Sequence, residues 1–167
     1  LVLDGKRGFA RSQPLAKRLR DKTLEAWVQL SDLGQKGGGV ITVQTRDGVN
    51  FDSIVYAEKQ GRHWLAGSEN PSRTDDFNGP KENEALEGPV HLAIVYHADG
   101  KITGYRNGEP YGRTFRKDAL REYEAGDAEV VLGMRHGKGA SGDRMLAGRV
   151  FKARVYDRAL SAEAVMA

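Results

Sequence analysis

The chain has 167 residues, no cysteine and a formal net charge of +3. Without cysteine it can form no disulfide, thiolate metal centre, haem c attachment or cysteine nucleophile. No apolar run approaches the ~20 residues of a membrane span and no signal peptide is visible, so no membrane insertion is expected.

The length suits a single domain over residues 1–167. The chain opens inside a strand-like segment, LVLDG, and stops at Ala167 within a helical pattern, as expected of a domain excised from a larger protein. The positive excess sits at the front: Lys6, Arg7, Arg11, Lys17, Arg18, Arg20 and Lys22 against Asp4 and Asp21. It reads as a solvated loop between the first two strands, and no nucleic-acid partner is expected.

Thr23–Leu30 alternates, with Leu24, Ala26, Val28 and Leu30 on one face and Glu25 and Gln29 on the other. Trp27, in this apolar strand, is expected in the core. Gly39–Thr45 and Phe51–Ala57 flank Asp47-Gly48 as a hairpin. His63–Ala66 is a further strand. Val90–His97 and Lys101–Arg106 flank Asp99-Gly100, and Asn107-Gly108 then turns the chain into a third consecutive strand at 110–113. If Ala98 and Lys101 flank a two-residue turn, Tyr105 lies across from Ile94 on the core face. Glu129–Leu132 and Leu146–Tyr156 complete the strands. Helix is expected only at Asp118–Tyr123, before Gly126, and at Ala162–Met166, with Ser161 as N-cap. Short strands joined by Gly, Asp and Asn turns predict an all-β fold, a two-sheet antiparallel β-sandwich or jelly roll.

Two stretches break this rhythm: the polar Ser68–Gly88 and the glycine-rich, basic Gly133–Arg144. Loops of that length in a compact domain carry function or move. They supply the candidate ligand-binding residues Arg73, Asp75, Asp76, Asn78, Arg135, His136 and Arg144. Trp64, next to the first loop, is the candidate ring for stacking on a ligand.

Catalytic signals are weak. Glu82, Glu84 and Glu87 resemble the E-x-D-x-x-E strand of laminarinase-type glycoside hydrolases, but Glu84 stands in place of the central aspartate, Pro80 and Gly88-Pro89 bound them, and no β-branched or aromatic residue alternates with them. They read as a solvated acidic loop, so no catalytic residue is assigned. His63, His91, His97 and His136 have no metal-ligand spacing. No nucleophile elbow, P-loop or dinucleotide fingerprint occurs. Calcium needs six to eight oxygens converging from several loops. Its weak candidates are Asp4, Asp75, Asp76 and Asp143, and no cofactor is expected.

Two segments, HLAIVYHADGKITGYRNGEPYG at 91–112 and GRVFKARVYDRALS at 148–161, resemble the hairpin and closing strand of laminin G-like, concanavalin A-type lectin/glucanase domains. The matching residues are His91, Ala93, Val95, Gly100, Tyr105, Asn107 and Gly108, then Gly148, Val150, Arg154, Val155, Tyr156, Arg158, Ala159, Leu160 and Ser161. Where that family often offers an acidic pair, this chain has Phe151 and Lys152, which weakens any carry-over of calcium. The wider wording resembles modules of large planctomycete proteins, attached there to haem c-type domains. The resemblance implies a concanavalin A-like fold and a non-catalytic accessory domain in a secreted or periplasmic multidomain protein. Carbohydrate or glycoconjugate is the customary ligand class. The alternatives are a structural or protein-interaction domain of a multidomain redox protein and, remotely, a glycoside hydrolase.

Overall fold

The computed structural model describes residues 1–69, 71, 73–117 and 120–166. Among these, thirteen strands and one short helix follow in chain order. They are β1 (Val2–Asp4), β2 (Ala10–Arg11), β3 (Lys22–Leu30), β4 (Gly39–Thr45), β5 (Phe51–Tyr56), β6 (Trp64–Ser68), β7 (Asp75–Asp76) and β8 (Val90–Tyr96). Then come β9 (Lys101–Arg106), β10 (Glu109–Pro110), β11 (Phe115–Arg116), β12 (Ala128–Leu132), β13 (Ala147–Tyr156) and α1 (Ala162–Met166). They form the two antiparallel sheets of a sandwich. The first runs β1-β13-β3-β8-β9-β10, with β11 also on β9, and the second runs β2-β12-β4-β5-β6-β7.

The alternation in β3 and β8 points Leu24, Ala26, Val28, Leu92, Ile94 and Tyr96 inward. They meet Ile41, Val43, Ile54, Tyr56, Trp64 and Ala66 of the second sheet, all buried in one cluster. Full burial of each aliphatic side chain is worth about 1.5–3 kcal/mol.

The predicted turns form, with one difference of consequence. Arg106 pairs with Glu109, so Asn107 and Gly108 make a two-residue turn at φ 51° and 82°. Tyr96 pairs with Ile102, however, and His97 N–H donates to Lys101 O at 2.9 Å. The loop is therefore Ala98–Gly100, one residue longer than expected, with Gly100 at φ 82°. A one-residue change of register moves a side chain to the other face. Tyr105 consequently pairs with Ala93, not Ile94, and lies on the outer face of the first sheet. There it packs with Ala93, Val95, Leu160 and Val165.

That outer cluster is what α1 covers. Ser161 Oγ accepts from Ala164 N–H at 3.3 Å at the start of the helix, as expected of its cap. Thr23, pointing outward from β3, pins the preceding segment: its hydroxyl donates to Arg158 O and accepts from Leu160 N–H, both at 3.0 Å.

Other expectations are corrected. The third consecutive strand is not 110–113. Glu109–Pro110 and Phe115–Arg116 pair separately with the two ends of β9. Of the helix expected at Asp118–Tyr123, Asp118 and Ala119 lie outside the described residues. Leu120–Tyr123 is not helical, and Tyr123 forms a bridge with Leu19. The basic front is not one solvated loop. It holds β1 and β2, Arg18 and Arg20 both pair with Glu122, and Lys22 is wholly buried. Trp27 sits on the outer face, only half-buried, because it shares the parity of Glu25 and Gln29.

Candidate functional site

The segment after β12 folds back across the outer face of the second sheet. Met134 and Met145 bridge its two arms, and Arg135 N–H donates to Arg144 O at 2.8 Å. Polar side chains on the sheet's outer face receive it. The Thr42 hydroxyl lies 3.2 and 2.8 Å from the Met134 and Arg135 carbonyls. The Gln44 amide holds Gly137 at both ends, donating to its carbonyl at 2.9 Å and accepting from its N–H at 2.8 Å. Such close approach needs bare backbone beneath: a Cβ on Gly39 would fall 2.4 Å from Arg135 Cα.

The result is a depression of about 590 Å³ between this segment, the Asp47-Gly48 hairpin and the end of β6. Its floor is aromatic. His136 stacks on Phe51 at 4.1 Å with ring planes 8° apart. His136 Nδ1 is 3.1 Å from Gly48 O; a carbonyl only accepts, so Nδ1 carries the proton and Nε2 is an acceptor. Burial, aided by Arg144 and Arg135, lowers the His136 pKa, although the Gly48 contact opposes it, so the ring is neutral at pH 7. Arg135 is ion-paired with Glu58, and Arg144, Glu69 and Asp47 also line the depression. Hydrogen-bond donors and acceptors of both signs thus surround a flat ring, an arrangement suited to hydroxyl-rich ligands.

Of the residues expected in a binding site, Arg135, His136 and Arg144 are brought together here. The rest are not. Arg73 is buried beneath, with Nη2 2.6 Å from Asp52 Oδ1. Asp75 is held by Lys59, Arg113 and Lys117 at 3.7, 3.2 and 3.2 Å. Asp76 is buried and accepts from Asn78 N–H at 2.7 Å, while Asn78 itself is exposed in the left-handed region at φ 52°. Trp64 is 2% exposed, which rules it out as a stacking ring; its indole N–H donates to Glu82 at 2.8 Å.

Glu82 overturns the reading of 80–88 as a solvated acidic loop. It is 1% exposed and accepts from Arg106 Nε and Nη2, both at 2.9 Å, and from the backbone N–H groups of Glu84 and Ala85. Burial pushes its pKa up, but the Arg106, Trp64 and backbone hydrogen bonds outweigh it and bring it down to about 2. A carboxylate so held is an anchor. The bounding prolines concealed this role, since nothing local signals a partner on β9.

The calcium candidates do not converge: among the described residues, no three His, Asp or Glu side chains group as a metal site. Asp4 Oδ1 already accepts from the N–H groups of Lys6, Arg7 and Gly8, which lower its pKa to about 2. Asp143 is exposed in a 3₁₀ turn at Gly142–Arg144. No helix among the described residues is long and apolar enough to cross a membrane.

No curated protein sequence matches the chain. Among solved structures, it is similar to the native heptameric SAP-like pentraxin of Limulus polyphemus, with a TM-score of 0.78, 20% identity, and coverage of 99% of this chain and 78% of that one. It is also similar to the CBM40 of Ruminococcus gnavus IT-sialidase, solved bound to α2,3-sialyllactose, at TM-score 0.69, 12% identity, and 98% and 94% coverage. Trypanosoma rangeli sialidase matches at TM-score 0.66 and 17% identity, over 98% of this chain but only 26% of that enzyme's. At these identities the likeness is one of fold. The Laminin_G_3 family model, described as the concanavalin A-like lectin/glucanases superfamily, matches residues 5–166. With that match across a two-sheet antiparallel sandwich, the chain belongs to the concanavalin A-like lectin/glucanases superfamily.

Proposed function

We propose that this domain is a non-catalytic carbohydrate- or glycoconjugate-binding module of a larger secreted or periplasmic protein. The observation that carries the reading is the depression on the second sheet, where Arg135, His136 and Arg144 meet Asp47, Glu58 and Glu69 around the His136–Phe51 stack. Rigid strands position the loops that recognise ligand, and the CBM40 of similar fold holds sialyllactose. A non-catalytic role is supported by Glu82, whose carboxylate is held ionised by Arg106 and so lacks the proton a glycosidase acid must donate. The planctomycete setting with haem c-type neighbours is the parent context we assign from the sequence resemblance.

A glycan array followed by NMR titration tests this, repeated with Arg135→Ala and Arg144→Ala. We expect each substitution to weaken a hit about tenfold, as for loss of one charge-assisted hydrogen bond. A hit that survives both but disappears on changing Lys17, Arg18 and Arg20 would move the site to the front segment. The second reading, a protein-interaction domain, is favoured by the exposed Leu1, Val2, Leu86 and Phe151. Val2 and Leu86 line a depression of about 520 Å³ at the β1 edge.

A further inference from the structure

The outer face of the first sheet carries a second constellation, remote in the fold from the depression on the second sheet. Its hub is Glu25, which points outward from β3 yet is only 4% exposed. Glu25 Oε1 lies 2.9 Å from His91 Nε2, and Oε2 accepts from the Tyr156 hydroxyl at 3.0 Å and Arg154 Nη1 at 3.3 Å. Next to it stands Trp27, the half-buried tryptophan. His91 stacks on it at 4.4 Å, and Lys152 Nζ lies 4.6 Å from its ring centroid. These groups line a depression of about 430 Å³, walled on one side by Ala164–Met166 of α1. That size is within the ~300–1,000 Å³ range of small-molecule pockets.

Desolvating a carboxylate is costly, and breaking even with a hydrophobic replacement is the usual best outcome of a buried ion pair. Stability alone is therefore a poor reason for this hub on a sheet's outer face. What it does achieve is to fix the positions of His91, Tyr156 and Arg154, the kind of support a binding site requires. The charge balance gives the ligand's sign. Among the described residues, one carboxylate lines the depression and it is already shared among three partners, whereas Lys152 is exposed and has no ion pair. Arg154 spends only Nη1 on Glu25 and Tyr156. The site thus offers one ammonium without an ion pair and one partly engaged guanidinium, both lying over an indole that His91 stacks against.

We propose that this face binds a carboxylate-bearing sugar of the uronic-acid type. Lys152 and Arg154, which both lie over the Trp27 ring at 4.6 and 5.5 Å from its centroid, take the carboxylate, and the sugar's C–H face packs on the indole that they uncover as they swing to the ligand. This rests on the carbohydrate reading above, but places a distinct, acid-selective site on the opposite sheet.

Tryptophan fluorescence reads the site directly, because Trp64 is 2% exposed and the only other tryptophan is Trp27. Trigalacturonate and trimannuronate would be titrated beside their fully methyl-esterified forms, into the intact domain, Lys152→Ala and Arg154→Gln. We expect a saturable change with at least one uronate, and binding at least tenfold weaker for its ester and for both variants. Equal binding of acid and ester, or unaltered binding by both variants, would overturn the proposal. So would loss of uronate binding in Arg144→Ala with Lys152→Ala unaffected, which assigns the ligand to the second sheet. Neutral oligosaccharides that shift only His136 and Phe51 resonances, with neither uronate bound, would overturn this site and leave the carbohydrate reading standing. Failure of every acidic and neutral oligosaccharide to bind would remove both.

Discussion

Lys22 Nζ of β3 and Asp52 Oδ2 of β5 come from opposite sheets and meet at 3.0 Å inside the sandwich, with side-chain exposures of 0% and 1%. Arg73 reaches the other Asp52 oxygen at 2.6 Å, and the Tyr123 hydroxyl donates to Oδ2 at 3.1 Å. Lys22 also donates to Arg121 O at 2.9 Å and lies 4.8 and 5.1 Å from the Tyr96 and Tyr123 ring centroids. One end of the core is therefore a charged network that joins two sheets and Arg73, which precedes β7. Burial lowers the Lys22 pKa, against the opposing pull of Asp52. Removing one partner strands the others: Asp52→Ala should cost about 3–5 kcal/mol. Urea denaturation checks this, and a loss below about 1 kcal/mol would show the network to be dispensable.

The Glu82 anchor makes stability depend on pH. Its folded pKa, about 2, lies below the ordinary 4.5. The stabilisation is thus complete above pH 4.5 and is lost as pH falls towards 2, by about 3 kcal/mol in all. Asp4 titrates in the same window, so the contrast with Glu82→Gln isolates the anchor. Melting temperatures measured from pH 6 to pH 2.5 should fall more steeply for the native protein than for the variant. Parallel curves would refute the assignment.

Gly39→Ala should disturb the depression on the second sheet, since the new Cβ would sit 2.4 Å from Arg135 Cα. We expect a loss of about 1–3 kcal/mol, typical of overpacking. NMR should show the His136 ring leaving Phe51. Unchanged stability and unchanged ring shifts would mean that the segment yields at no cost.

Leu160→Ala should release α1 from the first sheet. Leu160 is 8% exposed and shares a small cluster with Ala93, Val95, Tyr105 and Val165. A cost of about 2 kcal/mol, the low end for a buried leucine, is expected. Limited proteolysis should then cut first within 157–166; first cleavage elsewhere would contradict the docking.

Added calcium should leave the melting temperature unchanged, because among the described residues no three His, Asp or Glu side chains group as a metal site and Asp4 is committed to its own turn. A ligand that binds only the native state raises stability by mass action. A rise of several degrees that chelator reverses would identify an ion site formed by other oxygens.

The longer strands and the hairpins that join β4 to β5 and β8 to β9 are legible in the local sequence. The alternation in Thr23–Leu30 and Val90–Tyr96, and the left-handed residues of the Asn107-Gly108 turn, act within a few positions and leave their mark in local wording. The final helix and its Ser161 cap were legible for the same reason. Within the site, Arg135, His136 and Arg144 could be singled out because one glycine-rich segment carries all three.

Tertiary structure decided what each face does. Tyr105 changed sides because the 98–100 loop holds one residue more than the shortest turn, a choice settled by the pairing of whole strands. Trp27 and Trp64 exchange their expected places: the parity of Glu25 and Gln29 already turns Trp27 outward, whereas only the folded sandwich buries Trp64 and supplies Glu82 to its indole. Lys22 has the inward parity of Leu24, yet its charge made it read as loop, and only Asp52 from the other sheet makes its burial tolerable. Periodicity and turn dihedrals are short-range properties of the chain. The desolvation of a charge or the exposure of a ring depends on partners far away in sequence, which only the folded sandwich supplies.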